Sequence, residues 1–136
     1  MTPMLGVGII GCGNISEAYL KLAPSFAGFA VRAVADLSPA AAEARAAQFG
    51  LRALSVDDLL AAPDIDMVVN LTVPAAHYDV TRRILEAGRH AYSEKPFVLT
   101  LEEGERLREL AARRNLRAGA APDTFLGGSH QAARAA

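Results

Sequence analysis

The chain has 136 residues, 51% apolar and 21% charged, enough for one domain with a buried core and too few for two ordinary ones. A net charge of -1, with acidic and basic residues interspersed, excludes bulk electrostatic attachment to nucleic acid or an anionic membrane surface. A single cysteine excludes an internal disulfide framework and fits a cytoplasmic protein, no run is apolar enough to span a bilayer, and the first cation, Lys21, comes too late for a signal peptide.

"LGVGII", Leu5 to Ile10, has the pattern of a buried strand. "NISEAYLKLA" follows, with Ile15, Ala18, Tyr19 and Leu22 spaced along one face of a helix. "AVRAVAD" makes a second strand ending at Asp36. Ser38 and Pro39 then supply an N-cap and a first-turn proline for a helix closed by Gly50. After a short "RAL", Ser55 caps "VDDLLAA". "DMVVNLT" is apolar on both faces, as suits a central parallel strand. "AAHYDVTRRILEA" predicts a helix ending at Gly88, and "RHAYS" the next strand. Thr100 and Glu103 form a capping box opening "LEEGERLRELAARR". "LRAGA" is the last expected strand, and after a loop through Pro122 and Gly127 a helix starts at about Ser129.

Strand-helix alternation of this kind predicts an α/β fold: a Rossmann-type doubly wound parallel sheet with helices on both faces. Ligands of such sheets bind at the carboxyl ends of the strands, where the strand order switches. The loops after Ile10, Asp36, Leu71, Ser93 and Ala120 therefore matter most.

Two glycine runs compete for the first of these loops. Gly6-Val7-Gly8-Ile9-Ile10-Gly11 matches Gly-x-Gly-x-x-Gly strictly, but only five residues precede it and its helix would have to pass through Gly11 and Gly13. Gly11-Cys12-Gly13-Asn14-Ile15-Ser16 has a strand before it and a helix after it, as phosphate binding at a helix mouth requires. Ser16 replaces its third glycine, at a position that serves close packing and accepts a small residue. Gly11 would make the turn and Gly13 would admit a ligand, held by the amides from Gly13 through Asn14 to Ile15. Asp36 ends the second strand at the distance where a carboxylate hydrogen-bonds a ribose hydroxyl. It would also repel a 2′-phosphate, so the cofactor expected is NAD rather than NADP. The plainer reading makes Asp36 a turn residue that starts the next helix. Cys12 has no nearby His or second Cys and reads as a small filler, and no metal site is expected.

The second half carries Thr72-Val73-Pro74, His77 and Glu94-Lys95-Pro96 in that order. With "GCGNIS" and "ADLSP", this pattern resembles the glucose-fructose oxidoreductase, inositol dehydrogenase and rhizopine-catabolism (Gfo/Idh/MocA) family over nearly the whole chain. The resemblance implies an NAD-dependent dehydrogenase that moves a hydride between nicotinamide and a secondary alcohol of a sugar, cyclitol or related polyol. It implies that Lys95 contacts the nicotinamide ribose and the reacting oxygen, and that Glu94 helps orient the ribose and that lysine. Of 14 basic residues only Lys21 and Lys95 are lysines, which hints that this position needs a compact ammonium. His77 is either a cofactor-pocket wall or a histidine bonded to backbone. The expected cofactor-binding set is Gly11, Gly13, Asn14, Ile15, Asp36, Leu71, Thr72, Pro74, His77, Glu94 and Lys95, with Lys95 also catalytic. Asn70, polar in a buried strand, must find a partner. Asp123 and Thr124 would line the substrate side, and His130 would lie on the surface.

The resemblance further implies that residues 1–121 are the dinucleotide-binding domain. Residues 122–136 would then begin a linker and bridging helix toward a C-terminal α/β domain that this sequence does not contain. That domain would hold the acid/base pair and the contacts of a homo-oligomer, so the chain alone is expected to bind NAD and to catalyse little. The rival expectations are a non-catalytic NAD(H)-binding sensor or scaffold, and a different nucleotide such as FAD on the same loop.

Overall fold

The computed structural model describes residues 4–122 and 127–136. Six strands, β1 (Leu5–Ile10), β2 (Phe29–Ala35), β3 (Arg52–Leu54), β4 (Met67–Asn70), β5 (His90–Ser93) and β6 (Ala118–Ala120), form one parallel sheet in the order β3-β2-β1-β4-β5-β6. The helices are α1 (Asn14–Leu22), α2 (Pro39–Phe49), α3 (Val56–Ala61), α4 (His77–Glu86), α5 (Leu101–Arg113) and α6 (Gly128–Ala135). The strand order reverses between β1 and β4, which is where the expected ligand edge lies.

Local chemistry sets the helix boundaries. Ser38 Oγ accepts from the Ala41 amide, Ser55 Oγ from Asp58, and Thr100 with Glu103 completes the capping box. Gly50 ends α2 in the left-handed region at φ 67°. Packing then divides the sheet's two faces. Ala33 and Ala35 of β2 join a core with Leu59, Ile65, Val68, Ile84, Leu85 and Leu107, under α3 to α5. Val34, pointing the other way, joins Val7, Ile9, Leu20 and Val69 under α1 and α2.

The stripe Ile15, Ala18, Tyr19, Leu22 lies on the expected helix, but α1 turns Ser16 and Leu20 inward instead. Ile15 and Leu22 are 45% and 60% exposed. Ala18, Tyr19 and Leu22 line an apolar groove with Phe26, Met67 and Tyr92, so the stripe is apolar without being covered. Leu20 packs with Val7, Ile9 and Val34 of the sheet, and the small Ser16 is buried beside it on the same helix. Gly6 and Gly8 lie within β1 as expected: a Cβ on Gly6 would overlap the Asp64 carbonyl, and one on Gly8 would meet Leu59 Cδ2 at 2.7 Å. Asp123 and Thr124 fall outside the described residues, and His130 is exposed.

Candidate cofactor site

The chain leaves β1 through Gly11, whose φ of 105° suits glycine, and a Cβ there would lie 2.6 Å from the Leu71 carbonyl. Its amide donates to Ala35 O at 2.8 Å, tying the turn to β2. Gly13 is the N-cap of α1, with φ -70° and ψ -169° and no side-chain cap. A Cβ on Gly13 would meet nothing within 4 Å. The two glycines thus have separate jobs: Gly11 is fixed by its surroundings, and Gly13 borders open space at the helix mouth. Ser16, fully buried, donates from Oγ to Gly13 O at 2.6 Å, so the substituted third position braces the loop from below. Asn14 and Ile15 are exposed in the first turn.

Asp36 faces this loop. Its Oδ2 accepts from the Cys12 amide at 2.7 Å and its Oδ1 from the Ser38 amide at 2.9 Å. It therefore starts the helix turn and anchors the glycine loop at once. A carboxylate has about four lone-pair sites, so two bonds leave acceptor capacity for a ribose. Burial, aided by the Asp36 charge and opposed by Arg45, pushes the Cys12 thiol up to about 11. With Sγ 3.5 Å from Ala35 O, Cys12 is a packed filler and no nucleophile.

Across the switch point the edge is built from side chains. Asn70, fully buried, donates from Nδ2 to His77 O and Thr81 Oγ1, both at 3.1 Å. Its Oδ1 accepts from the Thr72 amide at 3.2 Å and from Thr72 Oγ1 at 2.7 Å. All four of its hydrogen-bonding positions are used within the protein. Leu71 is 5% exposed, which leaves its backbone as the part nearest Gly11, while Thr72 is half-buried and Pro74 is exposed. His77 is 1% exposed, with Nδ1 2.6 Å from Pro96 O and Nε2 2.9 Å from Thr72 O. Both nitrogens are engaged by backbone.

Glu94 accepts from Tyr19 Oη at 2.7 Å and from the Lys95 amide at 3.0 Å. Lys95 itself is exposed, and among the described residues its ammonium makes no ion pair. Sequence reasoning missed two contributors. Tyr19 reaches Glu94 across 75 positions, and Arg45, its side chain 13% exposed, donates to Gly13 O at 3.2 Å. Nothing in local spacing marked either one. No group of three His, Cys, Asp or Glu suited to a metal occurs among the described residues.

The open helix mouth, free of side chains where a Gly13 Cβ would stand, fits a diphosphate, and Asp36 beside it fits a ribose. A family model described as "Oxidoreductase family, NAD-binding Rossmann fold" matches residues 5–121. Inositol 2-dehydrogenase of Rhizobium meliloti (strain 1021) is 39% identical over 95 residues, covering 70% of this chain and 29% of that protein. The dTDP-3,4-didehydro-2,6-dideoxy-alpha-D-glucose 3-reductase of Saccharopolyspora spinosa is 38% identical over 114 residues, covering 81% and 34%. Biliverdin reductase from Synechocystis sp. PCC 6803, solved with biliverdin and NADP+, superposes with a TM-score of 0.87 at 29% identity, covering 96% of this chain and 42% of that one. The chain spans about a third of the length of these curated relatives. The match over residues 5–121 agrees with the fold and the open helix mouth, and the chain belongs to the Gfo/Idh/MocA oxidoreductase family.

Proposed function

We propose that this chain is the cofactor-binding part of an NAD-dependent dehydrogenase acting on a secondary alcohol of a sugar, cyclitol or related polyol. The observation that carries the reading is the gathering of an open α1 mouth, Asp36 and an exposed Lys95 at the carboxyl edge of one sheet. The amides of Gly13, Asn14 and Ile15 receive the diphosphate, where the helix dipole favours negative charge. Gly11 and Leu71 shape the loop behind it, and Asp36 takes a ribose hydroxyl. Thr72 and Pro74 border the nicotinamide side. Bound NAD supplies the hydride acceptor.

Lys95 then has the chemistry the other reactant needs. As hydride leaves the carbinol carbon, negative charge grows on its oxygen, and a nearby ammonium stabilises it. The hydroxyl proton passes to a base on the part of the protein that this chain does not include. Glu94, held by Tyr19 and the Lys95 amide, orients the lysine and the ribose. The helix α6 has no buried residue of its own, as suits a helix that packs against another part of the protein. The small-molecule substrate, the cytoplasmic setting and a homo-oligomeric whole protein belong to the same proposal.

Replacing Lys95 with Ala in the full-length protein tests it. Turnover should fall by orders of magnitude while NAD affinity stays nearly unchanged. Unchanged turnover removes Lys95 from the chemistry.

A further inference from the structure

Arg45 belongs to α2, yet its guanidinium reaches across to the glycine loop. Nη2 donates to Gly13 O at 3.2 Å and to Cys12 O at 3.5 Å, and Nη1 donates to Gln48 Oε1 at 2.7 Å. Its side chain is 13% exposed, whereas the other ion-paired arginines among the described residues keep 39% to 66%. Withdrawing a guanidinium from water costs free energy unless opposite charge compensates it.

Compensation within the chain is weak. Among the described residues the carboxylate paired with Arg45 is Glu17, at 3.4 Å, and Lys21 holds that same side chain at 2.6 Å. The remaining acceptors, two backbone carbonyls and the Gln48 amide, are neutral. Asp36 takes the amide of the same Cys12 whose carbonyl Arg45 approaches. Both charges are felt there: burial and Asp36 raise the Cys12 thiol, and Arg45 opposes them. The loop is therefore held between a carboxylate on its amide side and a guanidinium on its carbonyl side. Without the guanidinium, a diphosphate at the α1 mouth would face the Asp36 charge alone, against the attraction of the helix dipole.

We propose that Arg45 is a positioning residue of the cofactor site: it holds the Cys12 and Gly13 carbonyls, and its charge offsets Asp36, so that the amides from Gly13 to Ile15 take the diphosphate of a dinucleotide. The proposal rests on the cofactor reading given above. It accounts for one short loop serving a ribose carboxylate and an anionic diphosphate side by side.

Calorimetry with ADP on wild type, Arg45→Met and Arg45→Lys tests it, with the fold of each variant checked by circular dichroism. Arg45→Met should weaken ADP binding about fivefold, and Arg45→Lys, which restores the charge, should return it to within about twofold of wild type. No loss in Arg45→Met overturns the proposal. An equal loss in Arg45→Lys overturns it too, because packing alone would then explain the effect. Should Arg45→Met fail to fold, Glu17→Gln decides. Removing that half-exposed counter-charge should tighten ADP about twofold, and unchanged or weaker binding overturns the proposal. Wild type that binds no ADP faults the cofactor reading and this proposal together, whereas wild type that binds ADP beside an undiminished Arg45→Met faults this proposal alone.

Discussion

Around Gly11 and Gly13 the candidate site is made of backbone, whereas around Asn70, His77 and Glu94 it is made of side chains. The first region needs residues that get out of the way: a turn at φ 105°, an open N-cap, and amides that any sequence would supply. The second needs specific donors and acceptors. Asn70 satisfies four bonds, His77 spans two loops, and Tyr19 reaches Glu94 from another helix. The contrast follows what each region would hold. A diphosphate is recognised by charge and amides, while a reacting alcohol requires one ammonium placed accurately.

The sharpest challenge to this contrast comes from the two glycines. Gly11→Val forces a β-branched residue into a positive-φ turn against the Leu71 carbonyl, and should cost about 3 kcal/mol or more by denaturant unfolding. Gly13→Val enters free space at a negative φ, so stability should change by only about 1 kcal/mol. Its NADH affinity, measured by calorimetry, should nevertheless drop by at least about tenfold, because the side chain fills the helix mouth. Equal stability losses in the two variants would erase the distinction drawn between them.

On the side-chain half, Tyr19→Phe removes the donor to Glu94. Thermal unfolding should move down by about 4 °C, equivalent to about 1 kcal/mol. NADH binding should weaken more than ADP binding, since the loss lies beyond the glycine loop.

The smallest effect concerns Cys12. Burial raises its thiol from 9.0 to about 11, so the folded state keeps a proton that the unfolded state gives up first. Its contribution to stability is complete below about pH 9 and declines as pH rises toward 11. Cys12→Ala should flatten the stability profile in that window. A profile unchanged by the substitution would mean that the thiol is not shielded as described.

The backbone half was largely readable from sequence. Glycine spacing, the preceding apolar strand and the caps at Ser38, Ser55 and Thr100 are local signals, and each acts within a few residues. The choice between the two glycine runs also followed from local context, and Gly6 and Gly8 do lie inside β1. The burial of α1 was not readable, because its most apolar stripe and its buried face differ. Periodicity reports where apolar side chains point, and a helix that lies on the sheet through a small Ser16 can leave them uncovered. The bonds of Asn70 were unassignable for a related reason: the need for partners is written in one buried amide, but their identity depends on how α4 docks. Tyr19 and Arg45 were invisible because the partners they meet are 75 and 32 residues away.

Titrating the chain with NADH and NADPH, in wild type and Asp36→Ser, tests most directly whether the α1 mouth and Asp36 together hold a dinucleotide. Wild type should bind NADH more tightly than NADPH, and Asp36→Ser should abolish that preference while retaining binding through the amides of Gly13 to Ile15. Tighter binding of NADPH by wild type, or no binding of either nucleotide, would contradict the account.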